Sequence, residues 1–96
     1  MTENMLRGKL KEIYSDEKDI DVAIFKISLF KPELIKAFVH YVESGEILEI
    51  SVCGNTIRSI SKKTNLSNIE AFFIMDKLMK DEDYRKLFPS MSFGEK

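Results

Sequence analysis

Residues 54–80, GNTIRSISKKTNLSNIEAFFIMDKLMK, constrain the fold most, because two helix starts lie there on either side of a very short turn. Ser67 is followed three residues later by Glu70, which is the pattern of a capping box. In a capping box the hydroxyl accepts a hydrogen bond from a free amide of the first turn, and the carboxylate reaches back to the capping residue. The pattern predicts a helix that starts at Ser67 and continues to Lys80.

A second helix is predicted just upstream, where Asn55 or Thr56 can cap the first turn. Its inward positions recur at helical spacing, at Ile57, Ile60 and Thr64. Only residues 64–66 separate this helix from the next, and Asn65 tolerates the left-handed backbone conformation that a tight turn between helices needs. The sequence thus predicts two short helices joined at an angle.

This pair resembles the helix-turn-helix, and specifically its winged-helix form, over TIRSISKKTNLSNIEAFFIMDKL. The matching positions are a small residue in the first helix, an Asn turn, a Leu-Ser pair and an Ile-x-x-x-Leu core pair, here Ser61, Asn65, Leu66, Ser67, Ile74 and Leu78. The resemblance implies a DNA-binding regulator that uses its second helix for reading.

Two features depart from the winged-helix pattern. Residues 80–84 lead into what reads as another short helix stopped by Pro89, where a hairpin wing is usual. The positions that would face a DNA groove are Asn68, Ile69, Glu70, Phe72 and Phe73, whereas bases are usually read by Arg, Lys, Asn, Gln or Ser.

Composition sets the broad class of the protein. The 96 residues are enough for a single domain with a modest core, and 44% hydrophobic and 32% charged residues are typical of a globular chain. Because 15 Lys and Arg are balanced by 16 Asp and Glu, the net charge is -1 and no overall attraction to nucleic acid or lipid is expected. With no signal peptide, no membrane-crossing run and one cysteine, Cys53, we expect a cytoplasmic protein that does not bind membranes.

Two helices are predicted in the first 30 residues. The first covers residues 2–14, with an apolar face at Leu6, Leu10 and Ile13. Asp16 and Glu17 suit the start of the second. Residues 20–30, IDVAIFKISLF, are rich in β-branched side chains, which favours a strand, but the acidic start and the spacing of the isoleucines favour a buried helix, which we prefer.

A third helix and a strand are expected next. Pro32 suits a first helical turn, and Gly45 suits a left-handed stop after about Ser44. Residues 46–53, EILEISVC, alternate apolar and polar side chains and predict a short β-strand. We therefore expect a mainly α fold: a small helical domain with a helix-turn-helix core, one short β-strand and no wing. The single domain would comprise a helical support at 1–31, the core at 32–88 and a frayed tail at 89–96.

No catalytic, cofactor-binding or metal-binding constellation is visible, so we expect no enzyme, cofactor or small-molecule substrate. His40 is predicted to lie in solvent without a catalytic partner. Cys53 is predicted to be a small buried residue beside a turn.

The helix at 68–80 is apolar nearly all round. With Ile74 toward the core, the back of the helix carries Ile69, Phe72, Phe73 and Met79. These four side chains are either core, covered by the N-terminal helices, or an exposed interface for a protein partner or a second copy.

The sequence favours a non-enzymatic regulatory or adaptor module that binds a protein partner or associates with itself, most simply as a dimer. The alternative is a DNA-binding transcriptional regulator of the winged-helix type, in which Arg58, Lys62 and Lys63 contact phosphates and binding is weak and non-specific.

Overall fold

Six helices make up the secondary structure of residues 1–88, the part of the chain that this computed structural model describes. They are α1 (Glu3–Leu10), α2 (Glu17–Ser28), α3 (Pro32–Ser44), α4 (Ile57–Thr64), α5 (Asn68–Lys80) and α6 (Glu82–Leu87). The prediction of a mainly α fold is confirmed. The chain divides into two compact units, Met1–Leu48 and Glu49–Lys96.

The first unit contains α1 to α3. Thr2 and Asp16 cap α1 and α2 through their side chains, and α3 begins at Pro32 and stops at Gly45, whose φ is 80°. The preference for a helix over residues 20–30 is confirmed through Ser28. Helix α1 ends at Leu10, before the predicted Tyr14, because the backbone turns more tightly after it.

Helix α1 packs against both α2 and α3. The buried apolar residues of this unit are Leu6, Leu10, Ile20, Ala23, Ile27, Phe30, Leu34, Ala37 and Phe38. The Phe30 and Phe38 rings meet edge to face, with centroids 5.9 Å apart. One side of each helix therefore supplies the core.

Arg7 joins α1 to α2 at the surface. Its guanidinium contacts Asp21 at 2.7 Å, Glu3 at 2.9 Å and Glu17 at 3.1 Å. Hydrogen bonds to Asp21 and then Glu3 raise the pKa of Arg7 above its ordinary value. The cluster therefore links α1 to α2 at the protein surface.

The second unit contains α4 to α6. Ser67 Oγ accepts from the Glu70 amide at 3.2 Å and Glu70 Oε1 accepts from the Ser67 amide at 3.4 Å, which confirms the predicted capping box. A second box, not predicted, pairs Thr56 with Ser59 at the start of α4. Asn65 has a φ of 60°, as the turn requires, and Ser61 Oγ donates to the Leu66 carbonyl at 2.6 Å.

The predicted strand at 46–53 is wrong, because these residues form no ladder in the described part of the chain. Val52 and Asn55 instead exchange two backbone hydrogen bonds of 2.9 Å around a tight turn. Cys53 and Gly54, the central residues, have φ of 51° and 79°, as in a type I′ hairpin turn. The hairpin ends after this one bridge because Thr56 already caps α4.

Two further expectations concern Cys53 and the C-terminal residues 89–96. Cys53 is exposed at the tip of the turn, so the expectation that it is buried is wrong. The frayed tail predicted at 89–96, with Pro89, lies outside the described residues. The finer division at residues 31 and 32 stays a prediction.

Candidate protein-interaction surface

Helix α5 carries Ile69, Phe72, Phe73 and Met79, the four side chains that the sequence predicts to be either core or interface. Ile69 is 3% exposed and Phe72 is fully buried, while Phe73 and Met79 are half-buried. Helices α4 and α6 pack against α5. In the chain on its own, Ile69 and Phe72 therefore belong to the core of the second unit.

Helix α6 is held against α5 by polar as well as apolar contacts. Arg85 donates from Nη1 to the carbonyl of Leu78 at 3.0 Å, and the ammonium of Lys77 lies 5.1 Å from the centre of the Tyr84 ring. Burial raises the pKa of Tyr84 above its ordinary value. These contacts join α6 to the C-terminal part of α5.

The most exposed apolar helix face of the described chain lies on α2. Val22 is 52% exposed, Phe25 is 65% exposed and Leu29, the residue that ends the helix, is 55% exposed. Their spacing of three and then four residues places them on one side of the helix. The opposite side carries the buried Ile20, Ala23 and Ile27. We call Val22, Phe25 and Leu29 the α2 stripe.

The α2 stripe is bordered by charged residues of both signs. Lys18 lies one turn before Val22, Asp21 lies beside it, and Lys26 follows Phe25. Asp21 also forms an ion pair with Arg7 of α1. An apolar centre with a polar rim is the usual arrangement of a protein-binding patch.

Sequence reasoning missed the α2 stripe, although the signal was present. Once residues 20–30 are placed on a helical wheel with Ile20 and Ile27 inward, Phe25 and Val22 face outward. The spacing of Ile20, Ile24 and Ile27 predicts only the side of the helix that is turned inward.

The three basic candidates on α4 have different surroundings. Arg58 and Lys62 are exposed, and neither side chain makes an ion pair or hydrogen bond with any part of residues 1–88. Lys63 donates from Nζ to Oδ1 of the buried Asn55 at 2.7 Å and lies 5.9 Å from the centre of the Phe88 ring. Of the three candidates, only Arg58 and Lys62 are exposed without such a partner, and they lie one helical turn apart on the same side of α4.

The side chains that could act in catalysis or bind a metal ion do not cluster within the described residues. His40 Nε2 is 3.1 Å from Glu46 Oε1, and its side chain is 37% exposed. Over residues 1–88, no three His, Cys, Asp or Glu side chains are grouped so that they could hold a metal ion. Within the same range, no helix has the length and apolar character required to cross a bilayer.

Comparison with known protein families, with curated proteins and with solved structures gives no significant match.

Proposed function

We propose that this protein is a non-enzymatic adaptor or regulatory module that binds another protein through the α2 stripe. The observation that supports this most is Phe25, a large aromatic side chain that stays 65% exposed on a well-capped helix. Burial of apolar surface is favourable by about 25 cal/mol for each Å² that is removed from water. A partner that covers the stripe would regain that free energy.

The spacing of the stripe fits one mode of recognition. Helices that insert into an apolar groove use anchors at positions i, i+3 or i+4, and i+7, and Val22, Phe25 and Leu29 occupy i, i+3 and i+7. Phe25 is the central anchor, with an aliphatic side chain on either side. The partner is therefore a protein with an apolar groove, bordered by charges that complement Lys18 and Lys26.

The α4–α5 pair serves as a scaffold in this proposal. It resembles a helix-turn-helix, but two of the side chains at its reading positions, Ile69 and Phe72, are buried. Glu70, a third reading position, is engaged by the Ser67 cap. Protein binding is thus assigned to the first unit. The second unit, which follows it in the sequence, acts as a structural scaffold.

Photo-crosslinking tests the proposal. A photoreactive phenylalanine analogue at position 25 should capture a specific protein in cells, and the same analogue at Met5 is the matched control, because Met5 is an apolar side chain that is 44% exposed on α1. The captured protein is then purified and titrated with the wild-type chain and with Phe25→Ala.

The expected result is a loss of about 30-fold in affinity for Phe25→Ala, which corresponds to a hot-spot contribution of about 2 kcal/mol. The Met5→Ala variant should bind like wild type. Equal crosslinking from positions 25 and 5, or equal affinity of Phe25→Ala and wild type for the purified partner, would contradict the proposal.

A second candidate function, DNA binding of the winged-helix type, is favoured by the exposed Arg58 and Lys62. Such binding would be directed at phosphates and would not depend on sequence, because the first helix of the pair carries both residues. Titration of a labelled duplex at several salt concentrations tests it. Arg58→Ala and Lys62→Ala should each reduce the salt slope by about 1, whereas Lys63→Ala should leave it unchanged.

Failure of the wild-type chain to bind duplex DNA at low salt would exclude this second function. Conversely, a tight, sequence-selective complex that persists at physiological salt would overturn the preference for an adaptor.

A further inference from the structure

Helix α1 buries fewer side chains than the two helices that it contacts. It spans 8 residues and buries Leu6 and Leu10, whereas α2 and α3 span 12 and 13 residues and bury three side chains each. An isolated helix shorter than about 12 residues is only marginally stable in water. Helix α1 therefore depends on its two leucines and on contacts at the protein surface.

Gly8 weakens α1 further. It is exposed in the middle of the helix, and a Cβ added there would meet no atom of another element within 4 Å, so packing does not require a glycine. Glycine at such a position shifts the equilibrium toward the open chain by about two- to five-fold relative to alanine. The ion pairs of Arg7 with Glu17 and Asp21 offset little of this, because both carboxylates are mostly exposed to solvent. We therefore expect α1 to open more readily than α2 or α3.

The surroundings of α1 outline an apolar groove whose two walls accept cations. Helices α2 and α3 each pack more closely against α1 than against each other, so α1 bridges them. On the α2 side, Arg7 contacts Glu17 and Asp21. On the α3 side, Nζ of Lys9 lies 5.1 Å from the centre of the Tyr41 ring. The groove thus suits a helix with an apolar inner side and a basic side chain on either flank.

We propose that α1 is a displaceable strap, and that a basic amphipathic helix of another protein takes its place in the groove between α2 and α3. The occupant has two apolar anchors four residues apart and basic residues beside them, the pattern that α1 shows at Leu6, Leu10, Arg7 and Lys9. The groove uses the buried side of α2, opposite the α2 stripe. The inference therefore does not depend on the function proposed above.

The carboxylates that α1 vacates determine the charge of the occupant. When α1 leaves, Glu17 and Asp21 lose the guanidinium that they share. Like charges four residues apart on one helix repel each other, so an incoming basic side chain is favoured over a neutral one. Residues 11–16 tether the strap, which closes again when no partner is present. The apparent affinity for the partner is lowered by the fraction of molecules in which the strap is closed.

Native-state hydrogen exchange on the full chain tests whether α1 opens by itself. After correction for intrinsic rates, we expect the amides of residues 6–10 to exchange at least about ten times faster than the slowest amides of α2 and α3. Gly8→Ala should slow the α1 amides by about two- to five-fold and leave those of α2 and α3 unchanged. Exchange of α1 at the same rate as α2 and α3 would overturn the proposal, because α1 would then open only with the whole unit.

A labelled peptide is the probe for the groove. It has the sequence of residues 2–14 with Gly8→Ala, and a control peptide also carries Arg7→Glu and Lys9→Glu while keeping both leucines. Each peptide is titrated into three full-length chains: wild type, Gly8→Ala and Gly8→Pro. Proline at this position breaks α1 without altering its leucines or the groove.

The basic peptide should bind the Gly8→Pro chain at least about ten times more tightly than wild type, because the strap no longer competes. It should bind the Gly8→Ala chain about two to five times more weakly than wild type. The charge-reversed peptide should bind every chain at least about ten times more weakly than the basic peptide.

Equal affinity of the basic peptide for wild type and Gly8→Pro, or equal binding of the two peptides, would overturn the proposal. Dimers of the Gly8→Pro chain in sedimentation, in place of peptide binding, would also overturn it, because the occupant would then be a second copy. If the Gly8→Pro chain does not fold, the comparison of wild type with Gly8→Ala by hydrogen exchange and by peptide titration decides the question.

Discussion

Helices α2 and α5 have similar lengths, 12 and 13 residues, and both contain Phe and Ile, yet Phe25 of α2 and Phe72 of α5 have opposite environments. Phe72 of α5 is fully buried, whereas Phe25 of α2 is 65% exposed. Helix α5 is covered by α4 and α6 within its own unit, whereas α2 packs chiefly on α1. The difference teaches that apolar content alone does not decide which side chains become core, because coverage by neighbouring helices also matters.

The sharpest test of this contrast replaces the buried phenylalanine. Phe72→Ala should lower the free energy of unfolding by about 3 to 5 kcal/mol, because it removes a ring from a closed core. Urea denaturation followed by circular dichroism measures the change. Phe25→Ala is the matched variant and should change stability by no more than about 0.5 kcal/mol, since its ring is mostly in water. Similar losses for both variants would show that the two helices do not differ as described.

A second test concerns the hydrogen bond from Lys63 of α4 to Asn55 in the preceding turn. Lys63→Met keeps the aliphatic stem but removes the ammonium that donates to Oδ1 of Asn55, which is 3% exposed. Leaving this buried oxygen unpaired should cost about 1 to 3 kcal/mol. Lys62→Met is the control, because Lys62 is exposed like Lys63 but makes no hydrogen bond or ion pair within residues 1–88, and the change should alter stability by less than about 0.5 kcal/mol.

Thermal unfolding of the two lysine variants makes the measurement. If Lys62→Met lost as much stability as Lys63→Met, the bond from Lys63 to Asn55 would not be the source of the effect.

A third, smaller effect is expected at the start of α5. Ser67→Ala should lower stability by about 0.5 to 2 kcal/mol, because Ser67 Oγ accepts from the Glu70 amide. Asp16→Ala removes the corresponding cap of α2, where Oδ1 accepts from the Lys18 amide at 2.9 Å, and should have an effect in the same range. Denaturation of both variants compares the caps. An unchanged melting temperature for Ser67→Ala would show that this capping box does not stabilise the fold.

Helix starts and stops could be predicted from the sequence because they depend on local chemistry. The residues that start or stop a helix contact only backbone groups a few positions away. Five of them have the predicted role, namely Ser67 and Glu70 in the capping box, Asn65 in the turn, Pro32 and Gly45. The strand at 46–53 could not be predicted correctly, because a strand needs a partner. The alternation of its side chains carries no information about whether another segment lies alongside.

The candidate surface was harder to predict for a related reason. Which side of α5 is covered depends on α4 and α6, and which side of α2 remains open depends on how few helices pack against it. The difference between Lys62 and Lys63 likewise depends on Asn55, eight residues earlier, which the turn brings within hydrogen-bonding distance of Lys63. These relations are tertiary and leave little trace in periodicity.

Fluorescence of a single tryptophan at position 25 tests the central claim, that the α2 stripe is open surface, most directly. The chain has no tryptophan of its own, so Phe25→Trp introduces a unique reporter. In dilute folded protein, we predict an emission maximum close to that of the urea-unfolded chain and comparable quenching by acrylamide. Blue-shifted emission with weak quenching in the folded monomer would contradict the account, because it would mean that the chain itself covers the stripe.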